Sequence, residues 1–262
     1  MQQSKAYIII YTAILTTILG GALSLAAVLL KDAQDRAVEL ETKKQILSAV
    51  LSAEEQKKPK AELAKIYDER IQAIVVDFEG RELSPKEYGA SKPEGVNIKA
   101  QYKKSNPKDR FFPVYKYMSA DKSKVEAYIL PVFGFGLWDD IWGYVAVEGD
   151  FNTVKGVVFA HKGETPGLGA RIAEAEVQER FRGKKLFKGS EWMSVVMVKG
   201  EGNENLNEHQ VDGMSGATIT GKGVSRMMKE YLGQYQNYFK QEKSKQTTTS
   251  ADSVSTQVSL AY

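Results

Sequence analysis

The sequence contains no cysteine, and its 262 residues include only two histidines, His161 and His209. Without thiolates there is no disulfide, no iron–sulfur cluster, no haem attachment through sulfur and no Cys-based zinc site. Two histidines so far apart do not make a His-rich copper or iron centre. Any redox chemistry must therefore come from an organic cofactor. An excess of charge of one sign is also missing: 36 Lys and Arg face 33 Asp and Glu, a net charge of +3. Nothing in that balance calls for nucleic acid as a partner. No G-x-G-x-x-G follows a strand and opens a helix, so the chain offers no nicotinamide-dinucleotide site. The lack of cysteine does not identify the compartment.

What is present begins with an uncharged apolar run over residues 6–30. At the helical rise it reaches about 37 Å, enough for a bilayer core of about 30 Å with some tilt. The run exceeds a signal-peptide core and the preceding tail has only one basic residue, Lys5, which predicts an uncleaved anchor. Lys31, Arg36, Lys43 and Lys44 follow the span, and counting them would keep the C-terminal side in the cytoplasm. Long domains cross largely regardless of such charges, so this vote is weak.

The remaining chain predicts an α+β fold: one N-terminal transmembrane helix, then one soluble domain with a largely antiparallel sheet and flanking helices. Residues 1–30 form the tail and span, 31–70 a helical stalk and domain entry, 71–240 the domain, and 241–262 a disordered tail rich in Ser, Thr, Gln and Lys. Strands are expected over 71–78, 111–118, 124–132, 142–148, 153–160 and 192–199, with a hairpin turn at 120–123 and a helix over 170–181. Residues 84–107 hold Pro85, Pro93 and Pro107 and read as an irregular excursion. There is no internal repeat.

Three Gly-containing segments carry the functional signal. Asp212-Gly213-Met214-Ser215-Gly216-Ala217-Thr218-Ile219-Thr220 leads into a helix whose apolar stripe is Val224, Met227, Met228, Tyr231, Tyr235 and Tyr238. Thr218 or Thr220 would cap it, and the unpaired N–H groups of such a terminus favour a phosphate. Gly216 to Lys222 also reads as the first part of a P-loop. However, Gly223 stands where the Mg²⁺-holding Ser or Thr belongs, and 207–211 is too polar for the strand a P-loop needs. His161-Lys162-Gly163-Glu164-Thr165-Pro166-Gly167-Leu168-Gly169 joins a strand to a helix, and an ordinary turn would look the same. Gly134-Phe135-Gly136-Leu137-Trp138 suits a tight bend beside a flat apolar face, whereas Trp142 is expected in the core.

Asp212-x-x-Ser215-Gly216-Ala217-Thr218 resembles the D-x-x-[S/T]-G-A-T flavinylation motif. It is shared by the C subunit of the sodium-pumping NADH:quinone oxidoreductase and its relative, the G subunit of the Rnf complex. The other two segments also resemble this family, and the G-x-G-L-W stretch and the length lean towards the sodium pump. The resemblance implies FMN esterified through its phosphate to Thr218 by a separate flavin transferase, with Ser215, Gly216, Ala217 and Thr220 around it. It further implies a flavin site lined by Glu164, Thr165 and Leu168 and by Gly136, Leu137 and Trp138, no metal, and no catalytic residue of the chain's own. Asp139 departs from the small residue that follows the Trp in many members. Lys162 and Arg171 are cations that could favour an anionic reduced flavin. The implied role is electron relay among other membrane subunits, with the soluble domain outside the cytoplasmic membrane. The alternatives are the Rnf assembly, or a membrane-tethered binding module without cofactor in which the three segments are only turns.

Overall fold

The computed structural model describes residues 4–246. The chain divides into two units, residues 1–42 and 43–262. The first is helical: α1 runs Lys5–Ser48, and its apolar side chains from Tyr7 to Val38 are exposed. This helix is long and apolar enough to cross a membrane.

The second unit is built on five strands rich in β-branched and aromatic residues: β1 Ile71–Val76, β2 Phe112–Met118, β3 Val125–Phe135, β4 Asp140–Glu148 and β5 Val154–His161. They form one sheet in the order β1-β2-β3-β4-β5, with every neighbouring pair antiparallel. Strand alternation sends Tyr128, Leu130 and Val132 to one face, and Ala127 and Ile129 to the other. The first face packs against a helix, α3 (Thr218–Arg226), and its continuation. The second packs against Ile46, Leu47 and Leu51, and against Leu63 and Tyr67 of α2 (Lys60–Arg70). Both faces of the sheet are therefore covered, as expected for an antiparallel sheet with flanking helices.

Several local expectations are corrected. The helix expected over 170–181 is a 3₁₀ turn, Gly169–Ala173, followed by the short helix Ala175–Glu179. The strand expected over 192–199 is broken, because Ser194 takes a left-handed backbone (φ 65°). Only Val196–Met197 beyond it pairs, in parallel, with Gln210–Val211. Gly134 does not bend the chain. It lies inside β3, where a Cβ would meet Met227 Cβ at 3.0 Å. Its bareness lets the helix approach the sheet.

After α3 the chain widens into a π turn, Met227–Tyr231, tightens into a 3₁₀ turn, Leu232–Tyr235, and is helical again over residues 236–246. The tail expected from 241 thus starts no earlier than 247, and 247–262 lie outside the described residues. The stripe from Val224 to Tyr238 is buried throughout.

Two tyrosines on that stripe should respond oppositely to loss of the hydroxyl. Tyr235 Oη donates to Pro113 O (3.2 Å) and Pro131 O (3.1 Å), whereas buried Tyr231 Oη has no partner among the described residues. Tyr235→Phe is expected to cost about 1 kcal/mol, the usual net worth of such a bond. Tyr231→Phe is expected to match or exceed the wild type. Urea unfolding of both variants checks this, and a loss at Tyr231 equal to that at Tyr235 would contradict it.

Candidate functional site

The site is assembled from three chain segments at one end of the sheet. β3 ends at Phe135, and residues 136–139 turn back into β4, with Gly136 N–H donating to Asp139 O (2.9 Å). After β5, residues 162–168 form a second loop, in which Leu168 and Ala170 N–H both donate to Thr165 O (3.1 Å each). Gly167 at φ 73° sits at its tip, a left-handed position that suits glycine.

The third segment, 212–217, is braced from behind. The Asp212 carboxylate accepts from Gly202 N (2.7 Å), Asn203 N (3.1 Å), Asn203 Nδ2 (2.7 Å) and its neighbour Gly213 N (3.0 Å). Burial opposes its ionisation, but these donors outweigh burial and hold its carboxyl below the usual range. Glu201 accepts a two-pronged pair from Arg171 (2.9 and 2.7 Å), a bond from Arg180 Nη2 (2.9 Å) and the N–H of Ser215 (3.2 Å). The two guanidiniums and that amide hold Glu201 far below the ordinary carboxylate range. Arg180 Nη1 in turn donates to Gly213 O (2.5 Å). Gly216 takes φ 73°, and a Cβ there would meet Leu168 Cδ2 at 2.7 Å.

These segments enclose a cavity of about 270 Å³. Of the residues expected at the site, Leu137, Glu164, Thr165, Leu168, Gly216, Ala217, Thr218 and Thr220 line it, joined by Gly169 and Ile219. Gly136, Trp138 and Ser215 stand just behind or beside the wall. A Cβ on Gly136 would overlap the Glu164 carboxylate, Trp138 is 69% exposed and donates its backbone N–H to Glu164 Oε1 (2.9 Å), and Ser215 acts through its backbone N–H.

The two threonines differ sharply. Thr220 is 1% exposed and donates its hydroxyl to Glu164 Oε2 (2.5 Å). Thr218 is half-buried on the cavity wall, and its hydroxyl has no partner among the described residues. Neither caps the helix as expected. The N-cap position is Ala217, without a side-chain bond, because Thr218 is already helical and Thr220 is engaged by Glu164.

Other expected contributors are drawn elsewhere. Lys162 pairs with Asp139 (3.0 Å) and lines a separate cavity of about 310 Å³ beside Trp142 and Tyr144. Arg171 is held by Glu201, so neither cation stands free at the site. Trp142 is only half-buried, not fully in the core. His161 Nδ1 accepts Glu164 N–H (3.3 Å), and His209 Nδ1 lies 2.7 Å from Lys185 O. Among the described residues no group of three His, Asp or Glu is placed to hold a metal. The brace of Arg180, Glu201 and Asn203 was not foreseen, and nothing in its spacing distinguishes it from other surface charge.

The chain is 35% identical over 212 residues to the C subunit of the Na(+)-translocating NADH-quinone reductase of Haemophilus ducreyi, an alignment spanning 79% of this chain and 82% of that one. The chain belongs to this family of C subunits. The Vibrio campbellii member is 33% identical over 224 residues, 80% of this chain and 84% of its own. The family described as FMN-binding domain matches residues 136–233, which contain the whole cavity wall. Two crystal structures of family members share the fold. The C subunit from Parabacteroides distasonis superposes with a TM-score of 0.68 at 31% identity, covering 80% of this chain and 96% of its own. NqrC from Shewanella oneidensis gives 0.66 at 30%, covering 78% and 97%.

Proposed function

We propose that this chain is a membrane-anchored flavoprotein subunit that carries FMN as a phosphoester on Thr218. It relays electrons between other subunits of a sodium-pumping NADH:quinone reductase, with its soluble domain on the periplasmic side. The observation that carries the attachment is the free Thr218 hydroxyl in the cavity, beside a Thr220 hydroxyl already committed to Glu164. Relatives that are C subunits of the NADH-quinone reductase favour the sodium pump over the Rnf assembly.

The residues present fit the group. Leu137, Leu168 and Ile219 offer exposed apolar surface to a planar ring, and Thr218 stands at the first turn of α3, where N–H groups and the helix dipole favour phosphate. Lys222, one turn further on, is exposed and can face the same phosphate. The dipole contributes roughly 0.3–2 kcal/mol, too little to retain a cofactor outside the cell's flavin pool, so an ester made by a flavin transferase has a physical rationale. Bound FMN would supply the electron-accepting and electron-donating chemistry. The chain's part is to fix its position and exclude water from the inner wall.

The test combines attachment with orientation. Intact spheroplasts expressing the chain together with its flavin transferase should give a fluorescent band on a denaturing gel. External protease should remove that band. A fluorescent band that resists protease until the cells are lysed would place the domain inside and refute the orientation.

A further inference from the structure

Glu164 sits on the inner wall at 4% exposure and binds all three segments of the site. Oε1 accepts Trp138 N–H (2.9 Å) from the loop after β3, and Oε2 accepts the Thr220 hydroxyl (2.5 Å) from α3. The side chain itself springs from the loop after β5. A Cβ on Gly136 or on Gly169 would overlap its carboxylate oxygens, so both glycines make room for this group. No Lys or Arg pairs with it among the described residues. It is thus a buried carboxylate balanced by neutral donors alone.

We propose that Glu164 is a positioning residue that also acts electrostatically. Its ionised carboxylate ties the three segments together and holds the reduction potential of the bound flavin down. Each electron added to the ring without a proton adds a negative charge, and a fixed negative charge in the same cavity opposes it. Ionisation at neutral pH follows from the contacts. Burial raises the carboxyl, but the Thr220 hydroxyl and the amides of Trp138, Asp139 and Leu137 outweigh burial and leave it below the usual range. The charge is therefore kept throughout the usual range and lost only as pH falls below it.

This inference rests on FMN being bound at Thr218, and two variants of the flavin-loaded protein separate it from that reading. Glu164→Gln keeps the shape and removes the charge; it should still carry flavin, with a midpoint potential shifted upward. Thr220→Val removes the tether and keeps the charge; it should melt at a lower temperature, with no upward shift at neutral pH. An unshifted potential in Glu164→Gln, or equal upward shifts in both variants, would overturn the proposal. Should Glu164→Gln not fold, the potential of Thr220→Val against pH decides instead. Its carboxyl, having lost a donor, protonates at higher pH, so its potential should rise above the wild-type curve as acid is added. A curve superimposable on the wild type overturns the proposal. A wild type without covalent flavin would count against attachment to Thr218, whereas a loaded wild type with unmoved variants counts against Glu164 alone.

Discussion

Thr218→Ala is expected to abolish covalent flavin completely, while Thr220→Ala retains most of it. The difference follows from where the two hydroxyls sit. Thr218 lines the cavity, and its hydroxyl makes no bond among the described residues, so it is available to form the ester. Thr220 is buried and its hydroxyl already serves Glu164. Losing that donor leaves a buried carboxylate oxygen short of one partner, a cost of about 1–3 kcal/mol in stability. The Thr220→Ala domain should therefore melt earlier and load somewhat less well, but still load. In-gel fluorescence normalised to protein stain measures both variants. A fluorescent Thr218→Ala band would refute the assignment.

In the assembled complex, Thr218→Leu is expected to uncouple the two ends of the reaction. On the proposed relay role, NADH is oxidised on another subunit, in keeping with the absence of a G-x-G-x-x-G fingerprint from this sequence. A complex with Thr218→Leu should still oxidise NADH when given an artificial acceptor that takes electrons early. NADH-driven quinone reduction and sodium transport should be lost together, because both lie beyond the relay. Leucine is larger than threonine, but position 218 is only half-buried on a cavity wall, so assembly should survive. All three activities are to be assayed on one preparation. Wild-type quinone reduction in the flavin-free complex would make this flavin a side branch.

The sheet was legible because its strands are runs of apolar, β-branched and aromatic residues bounded by turn residues, the mark of strands buried on both faces. Ile71–Val76 through Val154–His161 emerged within a few residues of expectation for that reason. The stretch 185–212 was not, because its order comes from bonds that leave no periodic trace. His209 N–H binds Asn207 Oδ1 (2.8 Å), the Val196 amide binds His209 O (2.9 Å), and Ser194 turns the chain with an unusual φ. At the cavity the split is similar. The Gly-containing segments could be picked out by residue type, since glycine marks close approach. Their mutual contact could not: the family resemblance marks Glu164 as lining the site, but only the structure shows Trp138 and Thr220 converging on its carboxylate. Lys162 and Arg171 show the converse error. A cation near a site in sequence says nothing about the acid that has claimed it, here Asp139 and Glu201.

The strand order has a consequence for how the protein matures. Each of the five strands pairs with its neighbour in the chain, so the sheet can zip up as the chain emerges during synthesis, with short loops to close after β2 and only the 77–111 excursion between β1 and β2 long. Two of the three walls around the cavity follow β3 and β5 and are already in place at that stage. The segment carrying Thr218 emerges after them, and the apolar stripe from Val224 to Tyr238 must dock before the third wall is fixed. The half-finished sheet therefore shows its greasy underside until the last helix arrives, which makes the nascent chain most vulnerable to aggregation late in translation. A chain cut short before residue 218 would have every strand of the described residues, no lid over them, and nowhere to receive a cofactor.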